Sequence, residues 1–390
     1  MSISKKMREQ MQRSSWIRRM FEDAERIKKE RGADAVFDLS LGNPIEEPPS
    51  RFLESMRSAA HDAASGTHRY MSNAGYQQTR AAVARLVSQE QGVQLSENHV
   101  IMSCGAAGAL NVVLKAILDP SDEVIILAPF FVEYIFYIDN HNGVAKVVES
   151  DDAFQPDPGR LAEAITDRTR AVIINSPNNP TGVVYSGSLM REVAKVLKDA
   201  SQRHGHEIYL ISDDVYRHIV YDDTPLAAVF TEYPSSIIVT SFSKDLGLAG
   251  ERIGYIAISP AVGELEALFS ACVTATRILG FVNAPALMQR SILACLDARV
   301  DMDLYRHNRQ VLCEGLTRGG FRVVEPMGAF YIFPQCPEPD DVACCAALRD
   351  KGVIVVPGSG FGRPGHIRLA YSVERQTAVK AAAVLAEYGR

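Results

Sequence analysis

The chain has no CxxC pair, and its seven cysteines are an odd number. Cys344 and Cys345 are adjacent, and neighbours rarely bridge. This pattern argues against a disulfide framework and predicts reduced, mostly buried thiols in a cytoplasmic protein with no metal site. No apolar run is long enough to cross a bilayer. The longest, residues 124–138, is broken by Pro129 and Glu133. The first thirty residues are basic but lack an unbroken apolar core, which argues against a secretory signal. Positive charge is not in excess either: 41 Lys and Arg stand against 47 Asp and Glu, a net charge of −6. A nucleic-acid or membrane partner is therefore not expected. Repeats and low-complexity segments are absent. What remains is 390 residues, 47% hydrophobic and 23% charged, the make-up of an ordinary globular protein with room for two domains.

Spacing predicts a helix over residues 5–31. Met7, Met11, Trp16, Met20, Phe21, Ala24 and Ile27 recur at roughly helical intervals, and Gly32 ends the run. An extended stretch at 36–41 and a turn at Gly42-Asn43-Pro44 follow. Short apolar runs then alternate with helical ones to about residue 285. Strands are predicted at 99–103, 123–128, 171–175, 207–212, 236–240 and 253–259, with helices at 105–118 and 189–204 among those between them. That alternation reads as an α/β domain with a mostly parallel sheet. Beyond about residue 290 a second unit is predicted. It has a long helix through Arg309, then short strands at 321–324, 330–333, 353–356 and 366–370. Residues 1–45 are too few to fold alone and are expected to join it.

Open α/β sheets bind ligands beyond the carboxyl ends of their strands. Five predicted strands end in residues with plausible work to do there. The fifth leads into Ser241-Phe242-Ser243-Lys244, with Arg252 eight residues on. Burial disfavours the charged ammonium, and the neutral amine attacks carbonyls. Ser241, Ser243 and Arg252 can hold a phosphate beside it. A Schiff-base lysine next to a phosphate site points to pyridoxal phosphate, although a surface lysine after a strand is the plainer account.

The other strand ends are each ambiguous alone. The first opens into Gly105-Ala106-Ala107, small residues that leave helix amides free for a phosphate or simply make a tight turn. The second ends in Pro129-Phe130-Phe131-Val132-Glu133-Tyr134, where an aromatic could stack on a flat heterocycle or fill the core. The third ends in a rigid Pro-Asn-Asn-Pro turn that fixes the amide of Asn179. The fourth ends in Asp213, a buried carboxylate that either pairs with a pyridine nitrogen or caps the next helix, with Tyr216 in reach of the ring hydroxyl.

Three runs carry a family resemblance: NSPNNPTG at 175–182, SDDVY at 212–216 and SFSKDLGLAGERIGY at 241–255. With LGNP (41–44), HRYMSNAGY (68–76), SCGAAGAL (103–110), GAFYIFP (328–334) and VVPGSGFGRPGHIRLAYS (355–372), they closely resemble the class I aminotransferases of pyridoxal phosphate fold type I, over nearly the whole chain. The resemblance implies an α/β fold with a large, mostly parallel seven-stranded sheet domain at 46–288. It implies a smaller α+β domain from 1–45 and 289–390. It implies that Lys244 forms the imine with the cofactor and shuttles the proton. Asp213 would pair with the pyridine nitrogen, and Asn179 and Tyr216 would contact O3′. Gly105, Ala106, Ala107, Ser241, Ser243 and Arg252 would surround the phosphate, and Phe131 would stack on the ring. Arg368 would clamp the substrate α-carboxylate, with Gly42 and Asn179 beside it. Tyr70 would reach the phosphate of a second subunit in a homodimer.

The implied activity moves an amino group from an L-amino acid to a 2-oxo acid by a ping-pong route, with aspartate or glutamate as candidate donors. Many bacterial aspartate enzymes carry a lysine where this chain has Ala107, which puts that specificity in doubt. Arg277, eight residues before Pro285, or Trp16, Arg18 and Arg19 in the N-terminal helix, are candidate substitutes. A C–S β-lyase of the same fold is the alternative activity. A DNA-binding regulator is not expected, since little chain precedes Leu41.

Overall fold

The computed structural model describes residues 3–13, 25–27, 29, 32, 35–62 and 66–389. Twelve strands occur among them: β1 Phe37–Asp38, β2 Val100–Ser103, β3 Glu123–Ala128, β4 Val144–Glu149, β5 Thr169–Ile174, β6 Tyr209–Asp213, β7 Ser236–Ser241, β8 Gly254–Ile258, β9 Tyr331–Ile332, β10 Val353–Ile354, β11 Val356–Pro357 and β12 Ile367–Ala370. Seven form one sheet in the order β2-β8-β7-β6-β5-β3-β4. β8 runs antiparallel to both neighbours, and the remaining pairs are parallel. All residues of β2, β3, β7 and β8 are buried. Strands covered on both faces are continuously apolar, and this is why they were legible in the sequence.

Alternate residues of these strands enter different cores. Ile125, Val172, Leu210, Ile238 and Ala257 pack on one face, with the helix Gly187–His204. Ile126, Ile173, Ile211, Val239 and Ile256 pack on the other, with the helix Gly105–Ile117. Gly187–His204 is built by local rules. Ser186 accepts from the Leu189 amide at its start, Arg203 and His204 sit in its last turn, and Gly205 closes it at φ 72°. Its buried Met190, Val193, Ala194, Leu197 and Ala200 trace a single face.

A third core gathers Leu39, Tyr305, Leu312, Phe330, Ile367 and Leu385. It underlies two small sheets, β1-β10 and β11-β12-β9. The first is parallel and ties residues 37–38 to 353–354.

Several expectations change. β4 was not predicted, because an edge strand with exposed Val144, Val147 and Glu149 lacks the buried pattern. The strand expected at 321–324 reduces to one bridge between Arg322 and Gln335. Pro326, lacking an N–H, does not extend it. The long helix expected to run through Arg309 spans Asp303–Arg318. In the predicted helix over 5–31, Lys5–Arg13 is helical. Trp16, Arg18 and Arg19 lie outside the described residues. The Lys5–Arg13 helix bonds Asp139, at the end of the helix Glu133–Asp139. Lys6 Nζ donates to Asp139 O at 2.7 Å, and Gln10 Nε2 to Asp139 Oδ2 at 2.5 Å.

Candidate active site

The carboxyl ends of β2, β3, β5, β6 and β7 open on one cavity of about 280 Å³. Gly42, Ala106, Ala107, Phe131, Asn179, Asp213, Tyr216, Ser241, Ser243, Lys244, Arg252 and Arg368 all line it. These residues come from segments up to 326 positions apart in the chain. Gly105 sits just behind the wall, and Tyr70 is 89% exposed and does not line it.

Lys244 lies three residues beyond β7, and its Nζ donates to the carbonyl of Gly42 at 2.7 Å. Burial, then the charges of Arg368 and Arg252, push its pKa down to about 8. At pH 7.5 that leaves roughly a quarter of the amine neutral, against about one part in a thousand for an ordinary lysine.

Asp213 ends β6 and is 5% exposed. Tyr134 Oη donates to its Oδ2 at 2.6 Å, and Asn175 Nδ2 donates to its backbone carbonyl at 2.7 Å. Its Oδ1 is buried with no partner among the described residues. Burial raises its pKa to about 7, with Asp214 adding to the rise and the Tyr134 bond opposing it. A buried carboxylate oxygen without a donor is costly unless a ligand supplies one.

Gly105 opens the helix Gly105–Ile117 at φ 71°. A Cβ there would sit 2.5 Å from Arg252 Nη2, so the glycine lets the guanidinium close over the helix start. Arg252 is itself left-handed, at φ 53°, and Nη1 donates to Ala249 O at 3.0 Å. Ser241 Oγ accepts from the Ser243 amide at 3.4 Å. Hydroxyls, a guanidinium and helix amides thus converge at one end of the cavity, an arrangement suited to a phosphate.

At the other end Arg368, on β12, is 2% exposed. Its Nη2 donates to Ser40 O and its Nη1 to Asn179 Oδ1 at 3.3 Å. The guanidinium lies between Tyr331 and Phe361, 5.0 and 4.8 Å from their centroids. Its Nε is buried without a partner among the described residues. Asn175 Oδ1 accepts from the Asn179 amide at 2.7 Å, which locks the turn. Tyr216 and Tyr331 share a hydroxyl–hydroxyl bond of 2.9 Å. Gly42 is required because a Cβ there would collide with the Tyr331 hydroxyl. Phe131 meets Tyr134 edge-on at 5.6 Å.

Tyr331 and Asn175 were given no role from the sequence, and Tyr134 only that of one among several aromatics after the second strand. They lie inside motif runs, but nothing in an apolar pattern shows where a side-chain tip points. Arg277 is exposed on the helix Leu265–Ile278 and does not line the cavity.

Pyridoxal phosphate needs an amine for its aldehyde, an acceptor for its pyridine N–H, a cradle for its dianion and a flat wall. A depressed lysine, an unpaired buried carboxylate oxygen, the Gly105–Arg252 corner and Phe131 meet those needs. The residues present fit the cofactor.

Among the described residues no group of His, Cys, Asp and Glu is arranged to hold a metal, and no helix is long and apolar enough to cross a membrane.

A sequence model of the family described as "Aminotransferase class I and II" matches residues 34–385. The chain is 34% identical, over 90% of its length and 91% of the relative's, to a probable aspartate/prephenate aminotransferase of Thermus aquaticus. Among solved structures, an aminotransferase from Eubacterium rectale superposes with a TM-score of 0.96 at 35% identity, covering 100% of this chain and 98% of that one. Aspartate aminotransferase of Thermus thermophilus with maleate gives 0.84 at 30% identity, covering 96% of each chain. The fold is that of the type I aminotransferases, and the chain belongs to the class I and II aminotransferase family, a transaminase that works with pyridoxal phosphate.

Proposed function

We propose that this chain exchanges the amino group of an L-amino acid with a 2-oxo acid in two half-reactions at the cavity around Lys244. The observation that supports this most is the pairing of Lys244, its pKa lowered by burial, with the donor-less Oδ1 of Asp213 in one cavity. When bound, pyridoxal phosphate supplies an electrophilic carbon and a conjugated pyridinium that takes up the electron pair released at the substrate Cα. Lys244 Nζ would hold the cofactor covalently. Once released, it would take the Cα proton as base and return it as acid, a role that suits a pKa near the working pH. Asp213 Oδ1 would accept from the pyridine N–H, and its negative charge would keep that nitrogen protonated through the reaction. Asn179 and Tyr216 would donate to the ring oxygen. Gly105, Ala106, Ala107, Ser241, Ser243 and Arg252 would hold the phosphate, and Phe131 would cover the ring. Arg368, fixed by Ser40 and Asn179, would present a two-pronged donor face to the α-carboxylate.

Aspartate and glutamate are the first donors to test, since relatives are named aspartate aminotransferases. Ala107, Leu110, Phe131 and Tyr137 line the cavity with uncharged side chains, which favours neutral donors as the second class. The enzyme is proposed to be a cytoplasmic homodimer, with exposed Tyr70 directed to the partner's phosphate. Its large domain is proposed at 46–288 and its small domain at 1–45 and 289–390. The separate core around Leu39 and Tyr305 supports a second unit.

The test is Lys244→Ala, titrated with single amino acids and no 2-oxo acid while the cofactor absorbance is followed. Wild type should convert with its true donors and not with others. The variant should bind the cofactor non-covalently and fail to turn over. Wild-type turnover in the variant would overturn the proposal.

A further inference from the structure

Two buried acids sit directly beside the proposed catalytic pair in sequence: Asp245 after Lys244, and Asp214 after Asp213. Neither lines the cavity. Both belong to one charge network. His218 Nδ1 lies 2.7 Å from Asp245 Oδ2, and His218 Nε2 lies 2.6 Å from Glu90 Oε1. Arg217 continues the chain, with Nε 3.6 Å from Glu90 Oε2 and Nη1 3.5 Å from Asp214 Oδ2. Ser212 Oγ donates to the other oxygen of Asp214. Two cations therefore tie together three segments: the helix Gln77–Gln91, the turn after β6 that follows Asp213, and the turn after β7 that carries Lys244.

The geometry sets the charge of the histidine. A neutral imidazole has one donor and one acceptor, whereas both ring nitrogens here face carboxylate oxygens. Only the imidazolium donates to both. In agreement, burial works against the charge, but the bonds to Asp245 and Glu90 prevail and lift the His218 pKa to about 9. Arg299 adds positive charge near Glu90, and Tyr255 on β8 and Cys295 face the acids from the other packed elements.

We propose that His218 is a positioning residue for the reaction: clamped between Glu90 and Asp245, it holds the turn bearing Lys244 in register with the turn bearing Asp213. Lys244 must leave the Gly42 carbonyl and reach a substrate carbon without moving its own backbone. A misplacement of about 1 Å at a reacting group costs on the order of 100-fold in rate. The clamp also pairs the buried carboxylate of Asp245, the residue that follows Lys244 in the chain. The inference rests on the roles proposed for Lys244 and Asp213.

The test uses the cofactor-loaded enzyme. His218→Gln keeps a hydrogen-bonding side chain and removes the charge, and His218→Lys restores a cation. Folding is checked by thermal melting and cofactor content by absorbance. His218→Gln should hold the cofactor, keep KM within about twofold and lose roughly 10- to 100-fold in kcat. The pH at which its bound cofactor changes absorbance should move upward, because Asp245 is left uncompensated beside Lys244. His218→Lys should recover part of both. A folded, cofactor-loaded His218→Gln with wild-type kcat and an unmoved absorbance midpoint would overturn the proposal. If His218→Gln does not fold, Glu90→Gln removes the other end of the clamp and leaves the His218–Asp245 pair. It should lose kcat with KM kept and the absorbance midpoint not raised, and a folded Glu90→Gln with wild-type kcat would overturn the proposal. A Lys244→Ala enzyme that still turns over would defeat the underlying reading, whatever His218 does.

Discussion

Gly105→Ala tests the phosphate corner at a single atom. The residue is left-handed at φ 71°, and an added methyl would sit 2.5 Å from Arg252 Nη2 and 2.9 Å from its Cζ. Two separable costs follow. Holding alanine in the left-handed region costs about 1–2 kcal/mol, and it falls on the protein with or without cofactor. Displacing the guanidinium removes a charge-assisted hydrogen bond to a phosphate, about 1.5–3 kcal/mol, and it falls only on the bound state. The dissociation constant for pyridoxal phosphate should therefore rise roughly 10- to 100-fold. The melting temperature of the cofactor-free protein should drop by a few degrees at most, on the order of that backbone cost. The assay is an absorbance titration of cofactor-free protein with pyridoxal phosphate, run beside thermal melts of the same preparation. Arg252→Ala and the double variant complete a cycle. If one contact is at stake, the double variant should bind no more weakly than Arg252→Ala alone. A Gly105→Ala protein with a lowered melting temperature and an unchanged dissociation constant would refute the assignment of Arg252 to the phosphate.

Other predictions concern single bonds. Tyr134→Phe removes the donor to Asp213 Oδ2. It should raise the Asp213 pKa above about 7 in the cofactor-free protein and lower kcat about tenfold. A carboxyl titration followed by NMR, together with steady-state rates, would contradict this if neither changes. Arg368→Lys keeps the charge but cannot bond Ser40 and Asn179 while offering two donors to a carboxylate. It should cut kcat/KM about 100-fold, and steady-state kinetics showing less than a threefold loss would count against the clamp. His218 also makes stability depend on pH. Its pKa is raised from 6.5 to about 9, so its contribution is fully present below pH 6.5 and is lost as pH rises through 9. That span corresponds to about 3 kcal/mol. Urea unfolding of wild type should show this decline between pH 6.5 and 9.5. His218→Gln should show a flatter curve, and parallel curves would refute the charge assignment.

Much of the architecture was legible because of where its residues lie. Strands buried on both faces are continuously apolar, so β2, β3, β5, β6, β7 and β8 stood out, and ligand-facing residues follow such strands immediately. Lys244, Asp213, Asn179 and Arg252 could therefore be nominated from position alone, and the ordered motifs supplied Arg368 and singled out Phe131. β4 stayed hidden because an exposed edge strand carries no such pattern.

The long-range bonds were beyond reach for a different reason. Tyr134 and Asp213 are separated by 79 residues, Tyr216 and Tyr331 by 115, and His218 and Glu90 by 128. Local periodicity reports which face of an element is buried, not which distant polar atom it meets there. The sequence by itself determined the reactive groups and the strand ends that carry them, since these follow from nearest-neighbour chemistry. Only the tertiary structure decided that Asp213 keeps one oxygen without a donor, that Arg368 is braced by Ser40 and Asn179, and that His218 bears a charge. Each of these depends on desolvation and on partners brought close by folding.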